Sequence, residues 1–228
     1  MPESPTDRTT DAQRGDAPPA CDPQTMAAAP SLEAGRLLEC VVTTANPDGT
    51  TNIAPMGPIV DERFTRFLLR PYRGSATHSN LRRTGRCVLH VTDDVELIAR
   101  SALNALDEQP RLAPTPGGDG RFLVDACRWW RLVVEASDLS SERSGFLCRA
   151  AGDGRLRDFV GFNRAMHAVI EATILATRLT MLPAMDVQDQ LRRLETPVRK
   201  TGGPRERRAY AFVAEHVRRF YAGQTPTA

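Results

Sequence analysis

Residues 40–59 read CVVTTANPDGTTNIAPMGPI and have the pattern of a β-hairpin. Residues 36–44 are rich in aliphatic and β-branched side chains, which predicts a strand. Residues 46–49, NPDG, form a tight-turn sequence because Pro fixes its own backbone and Gly accepts a positive φ. The returning strand, 51–59, contains two prolines and a glycine, so we expect it at a sheet edge or where its backbone faces a ligand.

Short strands and short helices follow this hairpin. Residues 64–70 alternate with a period of two, which is typical of a strand whose two faces meet different surroundings. The sequence predicts further strands over 87–92, 129–136 and 146–151, helices over 75–84 and 95–106, and a long surface loop over 107–120. Six short strands at modest spacing favour a small β-barrel over a parallel sheet.

The chain divides into three predicted parts. Residues 1–34 almost lack aromatic and branched aliphatic side chains, so we expect a disordered tail, in which Met26 is a second candidate initiator. Residues 35–161 hold the predicted strands and form the barrel domain. Residues 162–228 change to a helical period, with helices predicted over 163–182, 186–194 and 204–221. The expected fold class is α+β, mainly β with a C-terminal helical subdomain.

The composition is that of a soluble globular protein. Hydrophobic residues make up 41% and charged residues 25% of the chain, and no apolar run approaches the roughly 18 residues of a membrane span. The formal net charge of +2 is far from the strongly basic balance of a nucleic-acid-binding protein. Five cysteines without a C-x-x-C pair, and no secretion-signal pattern, lead us to expect free thiols in the cytoplasm.

Conventional catalytic motifs are absent from the sequence. It contains no G-x-G-x-x-G, G-x-x-x-x-G-K-[ST], G-x-S-x-G or H-E-x-x-H, and no metal site is predicted from its four histidines. His167 and Glu171 are spaced to share a metal, but an ion pair on a helix surface explains the spacing more simply. His216 lies among apolar residues and is interpreted as part of a core or interface.

Residues 70–77, RPYRGSAT, join a strand end to a helix start. Here the guanidinium of Arg70 and the hydroxyls of Ser75 and Thr77 come beside unpaired helix N–H groups, an arrangement that binds phosphate. A capped helix preceded by a surface arginine explains the same spacing. Residues 52–57, NIAPMG, could offer free backbone amides to the edge of a flat ring; a bulged edge strand without a ligand is the alternative.

The order of these segments resembles the FMN-binding split-barrel superfamily, and more narrowly the archaeal and bacterial family known as domain of unknown function 447. The N-terminal segments that carry the resemblance are NPDG at 46–49, TNIAPMG at 51–57, LLRPYRGSAT at 68–77 and VLHVTDDVEL at 88–97. The C-terminal segments are GFNRA at 161–165, HAVIEA at 167–172 and ATRL at 176–179. The resemblance covers residues 36–182.

The resemblance implies a split β-barrel that forms a homodimer and binds one FMN per protomer near the subunit interface. In this sequence the APMG strand would face the isoalloxazine ring and the RPYRGSAT segment would hold the phosphate, with lesser ring or ribityl contacts after the fourth strand. The implied cofactor-binding residues are Asn52, Ala54, Pro55, Met56, Gly57, Arg70, Ser75, Thr77, Asn80, Thr92 and Asp93.

The resemblance further implies an oxidoreductase or electron-transfer protein whose redox chemistry comes from FMN. Its substrate is open, and a link to methanopterin-dependent one-carbon metabolism is suggested by the organisms in which the family occurs. A non-catalytic flavin carrier or a dimeric scaffold is the alternative. Basic residues outnumber acidic ones over 191–221, but a solvated helix face explains this without RNA because aromatic residues are not interleaved. Nucleic-acid and membrane partners are not expected.

Overall fold

The structure, a computed structural model, describes residues 35–223, and most of its strands form one curled antiparallel sheet. The predicted disordered tail and Met26 lie outside the described residues. The strands are β1 Arg36–Leu37, β2 Cys40–Ala45, β3 Thr51–Met56, β4 Ile59–Val60, β5 Arg66–Leu69, β6 Arg86–Val91, β7 Leu112–Pro114, β8 Arg121–Leu123, β9 Arg128–Asp138 and β10 Gly145–Arg155. The sheet order is β1-β4-β5-β10-β9-β6-β2-β3, and β7 and β8 pair separately.

The helices of the described residues begin and end at recognisable caps. They are α1 Ala76–Thr84, α2 Val95–Ala102, α3 Arg164–Ala176, α4 Ala184–Thr201 and α5 Pro204–Ala222. Before α1, the side chain of Ser75 accepts a hydrogen bond from the backbone of His78, and Gly85 ends the helix in the left-handed region. Before α3, the Asn163 side chain does the same for the first helical amides. None of these helices is long and apolar enough to cross a membrane.

The described residues form three hydrophobic clusters, and two of them meet at helix α2. The inside of the curled sheet is filled by Phe67, Leu69, Leu89, Leu132 and Phe146. A second core joins α2 through Val95 and Ala99 to Val169, Val187 and Val213 of the C-terminal helices. On its other face α2 places Ile98 against Val41 and Ile53 of the sheet. The helical part is therefore packed onto the barrel through α2, next to strand β3.

The predicted fold class, a mainly β split barrel with helical additions, is confirmed, but several predicted boundaries were wrong. The segment 107–120 is not a pure loop, because its middle forms β7 and pairs with β8. Strand β10 continues past a bulge between Ala150 and Asp153, where the glycines relax the pairing. Helix α3 ends at Ala176 rather than at 182, and α4 runs through Pro197 because buried residues on either side keep it packed.

The predicted free thiols are confirmed for the described part of the chain. Cys40, Cys87, Cys127 and Cys148 are all buried and unpaired. Burial raises the pKa of the Cys87 thiol to about 12, so it stays protonated and packs as a small apolar side chain.

Candidate functional site

A cleft of about 360 Å³ opens beside the end of strand β3 and the start of helix α1. Its lining residues are Leu37, Glu39, Ala54, Pro55, Met56, Gly57, Arg70, Pro71, Tyr72, Ser75, Thr77, Arg143 and Arg178. The predicted ring strand and the predicted phosphate segment therefore meet in one cavity. They are brought together because β3 and α1 both pack against β2, while Arg70 directly follows β5.

Arg70 offers this cavity a buried hydrogen-bond donor. The Nε atom of its side chain is buried and has no hydrogen-bond partner within residues 35–223. A buried donor left unpaired costs about 1–3 kcal/mol, more when it is charged, and a ligand that accepts from it would remove this cost. The geometry fits a phosphate group, which accepts two parallel hydrogen bonds from a guanidinium.

Helix α1 points its N-terminus into the same cleft through Ser75 and Thr77. The Oγ of Ser75 caps the helix by accepting from the His78 amide at 3.2 Å. The first N–H groups of a helix have no partner inside it and carry the positive end of the helix dipole, which favours a bound anion. The sequence left open an ordinary capped helix or a helix start that binds a ligand. In the structure the helix is capped by Ser75, and its N-terminus also lines a cavity.

Asn52 and Asn80 lie one layer behind the cleft and support it. The Asn52 amide nitrogen donates to the hydroxyls of Thr44 and Thr77, each at 3.0 Å. The Asn80 amide nitrogen donates to Thr44 at 3.1 Å and to the side-chain oxygen of Asn46 at 2.8 Å. Of the predicted site residues, these two are therefore placed to orient the others rather than to line the cavity.

The other wall of the cleft is the free edge of β3. This strand is the last of the sheet order, in agreement with the predicted edge position, so one side of its backbone has no strand partner. Cys40 pairs with Met56, and the amide of Leu38 donates to the carbonyl of Pro58 at 3.1 Å. This register places Glu39 opposite Gly57, which has no side chain of its own.

Glu39 is the one carboxylate among the lining residues. Burial raises its pKa above the ordinary value, and the nearby charge of Glu171 on α3 raises it further. The cleft thus carries three arginines against one weakly acidic carboxylate, a balance that favours a negatively charged ligand.

Thr92 and Asp93 are not brought to this cleft within the protomer. Thr92 lines a separate pocket beside α2. The buried carboxylate of Asp93 accepts two hydrogen bonds from the guanidinium of Arg157 and a third from the amide of Val160 at 3.3 Å. Its pKa is lowered, above all by Arg157. These contacts explain why the Asp93 carboxylate can be buried. The flavin contact suggested for Thr92 and Asp93 stays a prediction.

Four polar residues of the cleft were not among the predicted cofactor-binding residues: Glu39, Tyr72, Arg143 and Arg178. The Nη2 atom of Arg143 donates to the hydroxyl of Tyr72 at 2.6 Å, and its guanidinium lies 4.3 Å from the centre of the Tyr72 ring. Arg178 reaches the cleft from the turn after α3. Tyr72 stood inside the predicted phosphate segment, whereas no local pattern marks Arg143 or Arg178, because only the tertiary fold places them here.

Two larger cavities are chemically less suited to an anionic ligand. A cleft of about 480 Å³ is lined by Arg86, Arg121 and Asp119. The carboxylate of Asp119 lies 3.5 Å from Arg86 and 3.0 Å from Arg131 and offsets part of the positive charge there. A groove of about 700 Å³ between α4 and α5 is shallow and open. In residues 35–223 no three His, Cys, Asp or Glu side chains converge as metal ligands, and His167 lies against the ring of Phe162.

The structure is similar to several solved flavin-related proteins. A crystal structure of an FMN-bound protein from Methanosarcina mazei matches with a TM-score of 0.67 and 22% identity, covering 79% of this chain and 94% of that chain. A flavin reductase domain protein from Arthrobacter sp. FB24 matches with a TM-score of 0.46 and 16% identity, over 54% of this chain and 80% of that one. The first match shows that the two proteins share a fold; the second is too distant to support more.

The family models match both parts of the chain. Residues 38–155 match the model for the N-terminal domain of the protein of unknown function DUF447, and residues 163–215 match a second model described as protein of unknown function DUF447. The resemblance predicted from the NPDG, APMG and RPYRGSAT segments is thereby confirmed. Since the two matches together span most of the sequence, this chain belongs to the DUF447 family.

Proposed function

We propose that this protein is a flavoprotein that binds FMN in the cleft between β3 and α1. The observation that carries the proposal is the buried, unpaired Nε of Arg70, which lines one cavity together with the N-terminus of α1 and the free backbone of 54–57. The shared fold with an FMN-bound protein of the same family supports it.

At the phosphate end, the proposal assigns one role to each group. Arg70 supplies a charge-assisted, bidentate contact, and the hydroxyls of Ser75 and Thr77 supply short hydrogen bonds. The dipole of α1 adds a favourable interaction with the negative charge. Riboflavin lacks the phosphate, so it should lose this part of the binding energy and bind more weakly than FMN.

At the ring end, the free edge of β3 would meet the isoalloxazine. Backbone amides and carbonyls of 54–57 can pair with the polar edge of the ring, while the side chains of Leu37 and Met56 shield its apolar part from water. FMN itself supplies hydride and single-electron transfer when bound. The protein would bind, orient and electrostatically tune the ring, which explains how an oxidoreductase can lack the usual catalytic motifs.

The wider proposal is a cytoplasmic, homodimeric oxidoreductase or electron-transfer protein. Between β10 and α3 the chain exposes a run of apolar side chains, among them Val160 and Phe162, whose exposures are 71% and 97%. Contiguous exposed apolar groups are typical of an interaction surface, which supports a subunit interface there. Unpaired thiols suit a reducing compartment. The link to methanopterin-dependent metabolism depends on the family resemblance and on no residue of the cleft.

The test is a comparison of two flavins on the protein freed of any bound cofactor. We expect the fluorescence of FMN to be quenched when it binds, with a stoichiometry of one FMN per chain. Riboflavin should bind about tenfold more weakly, because it cannot make the charge-assisted contacts of the phosphate. Equal affinities for FMN and riboflavin would contradict the proposed phosphate contacts. If neither flavin binds, the result would support a scaffold protein instead. Bound FMN that no pyridine nucleotide or deazaflavin reduces would favour a carrier over an enzyme.

A further inference from the structure

The FMN cleft holds more positive charge than one phosphate group requires. Arg70, Arg143 and Arg178 enter it from three different elements, and none of them has a carboxylate partner in the described part of the chain. Many other arginines of the protein do have one, such as Arg157 with Asp93 and Arg131 with Asp119. In this cleft the three arginines face one carboxylate, Glu39, and form no ion pair with it.

Arg143 is held in a fixed orientation without losing its charge. Its guanidinium stacks on the ring of Tyr72 with 4.3 Å to the ring centre, and it also donates to the Tyr72 hydroxyl at 2.6 Å. The backbones of the two residues form an isolated bridge, which extends the β5–β10 pairing. Stacking and a neutral acceptor orient the guanidinium fork but do not neutralise it, so it keeps donors for a ligand.

Arg178 comes from the C-terminal helical part. It follows the end of α3, where its amide donates to the carbonyl of Leu175 at 3.0 Å, and its exposed side chain lines the cleft. No side-chain hydrogen bond, ion pair or aromatic contact involves it in the described structure. A cation after a helix C-terminus also stabilises the helix dipole by about 0.3–1 kcal/mol, which is the competing, purely structural role.

We propose that Arg143 and Arg178 bind an anionic group, phosphate or carboxylate, of the molecule that exchanges electrons with FMN. The inference rests on the proposed function and deepens it: the substrate or electron donor is an organic anion, and the helical part of the chain takes part in its recognition. Arg70 and the α1 N-terminus are sufficient for the cofactor phosphate, and the single carboxylate of the cleft, Glu39, cannot neutralise the two remaining arginines.

The inference is tested on the FMN-loaded protein with two simple probes, inorganic pyrophosphate and citrate. Each is titrated at constant ionic strength, and binding is followed by calorimetry and by the change in the FMN absorption spectrum. We expect at least one probe to bind the wild type, and Arg143→Gln and Arg178→Gln each to weaken it by about tenfold, the scale of one lost charge-assisted contact. Preference for one probe identifies the anionic group.

Arg164→Gln is the matched control, because Arg164 is an exposed arginine at the opposite end of α3. It should leave probe affinity and FMN affinity unchanged, and Arg143→Gln and Arg178→Gln should weaken FMN binding much less than loss of Arg70 does. The inference is overturned if neither probe binds, or if Arg178→Gln lowers only the melting temperature. It is also overturned if Arg178→Gln weakens FMN binding as strongly as loss of Arg70, which would place the cofactor phosphate there. Failure of the wild type to bind FMN would overturn the proposed function itself.

Discussion

Asn52 on strand β3 donates a hydrogen bond of 3.0 Å from its amide nitrogen to the hydroxyl oxygen of Thr77 on helix α1. This contact joins the wall proposed for the flavin ring to the helix proposed for the phosphate. It also fixes the polarity of the Thr77 hydroxyl: because the oxygen accepts from Asn52, its own proton is free to be donated into the cleft. Thr77 is thereby prepared to bind an anion.

This polarity predicts a difference between two substitutions of Asn52. Asn52→Ala removes the amide donor and should weaken FMN binding only several-fold. Asn52→Asp turns the donor into a charged acceptor that accepts the hydrogen bond of the Thr77 hydroxyl and repels the phosphate, so we expect a loss of about 2 kcal/mol or more. Fluorescence titration with FMN and with riboflavin measures both; riboflavin affinity should respond much less. Identical behaviour of the two variants would contradict the assigned polarity.

Arg70→Ala should remove the main phosphate contact. We expect FMN affinity to fall by about 1.5–3 kcal/mol, the range for hydrogen bonds to a charged group, with little change in the melting temperature. Arg70→Lys should recover part of the loss, because it keeps the charge but not the guanidinium fork. Arg63→Ala, in an exposed turn without ion pairs, serves as the control. A flavin titration in which Arg70→Ala matches the wild type would refute this role.

Substitutions of Gly57 test the proposed position of the isoalloxazine ring. A Cβ atom there would meet the Leu37 side chain at 3.5 Å, an ordinary contact, so the fold should tolerate Gly57→Ala. Gly57→Val adds two methyl groups beside the free edge of β3 and should obstruct a ring lying along it. We therefore expect normal melting temperatures for both variants, with flavin affinity falling from Gly57→Ala to Gly57→Val. A valine variant that keeps a full complement of flavin would count against this placement.

The ion pair of Asp93 and Arg157 is predicted to serve stability. Asp93 is almost fully buried, so Arg157→Ala would leave its charge unpaired and cost about 3 kcal/mol in the free energy of unfolding. Because Arg157 lowers the pKa of Asp93, this contribution is present above its unfolded pKa of about 3.9 and is lost as the pH falls through the folded value. Urea unfolding measures it. Asp93→Asn should keep FMN affinity; a clear loss would instead support the flavin contact suggested by the family resemblance.

Burial of His90 should give the free energy of unfolding a second dependence on pH. Its ring is fully buried, with Nδ1 3.0 Å from the carbonyl of Val41 and Nε2 accepting from the amide of Leu123 at 3.1 Å. Burial lowers its pKa to about 4, so the folded protein holds the neutral form while the unfolded chain takes up a proton below about 6.5. The free energy of unfolding should therefore fall by about 2 kcal/mol between pH 7 and pH 5. His90→Gln should lose most of this slope, and an unchanged slope would contradict the assignment.

The local parts of the site could be predicted from the sequence, and the distant parts could not. Arg70, Ser75 and Thr77 lie within one strand-to-helix connection, and 54–57 is marked by Pro and Gly in a strand, so residue types alone identify both. Arg143 and Arg178 reach the cleft through strand register and helix packing, which leave no periodic signal. Glu39 was not predicted because it reaches the cleft only through the strand register that sets it beside Gly57.

The fold shows the same division. The strands with regular alternation and the helix starts near Ser75 and Asn163 were predicted because they depend on neighbouring residues. The hairpin of β7 and β8 was missed because three-residue strands in a segment rich in Pro and Gly are stabilised by tertiary contacts. One of these is the bond from the Thr43 hydroxyl to the carbonyl of Arg121 at 2.6 Å.

The most direct test is a crystal structure of the protein grown with FMN. We expect the phosphate within hydrogen-bond distance of the Arg70 Nε and of the Ser75 and Thr77 hydroxyls, with the isoalloxazine along the backbone of 54–57. Density for FMN in another cavity, such as the one beside Arg86 and Asp119, would contradict it. So would a flavin in this cleft with the Arg70 side chain turned away from its phosphate.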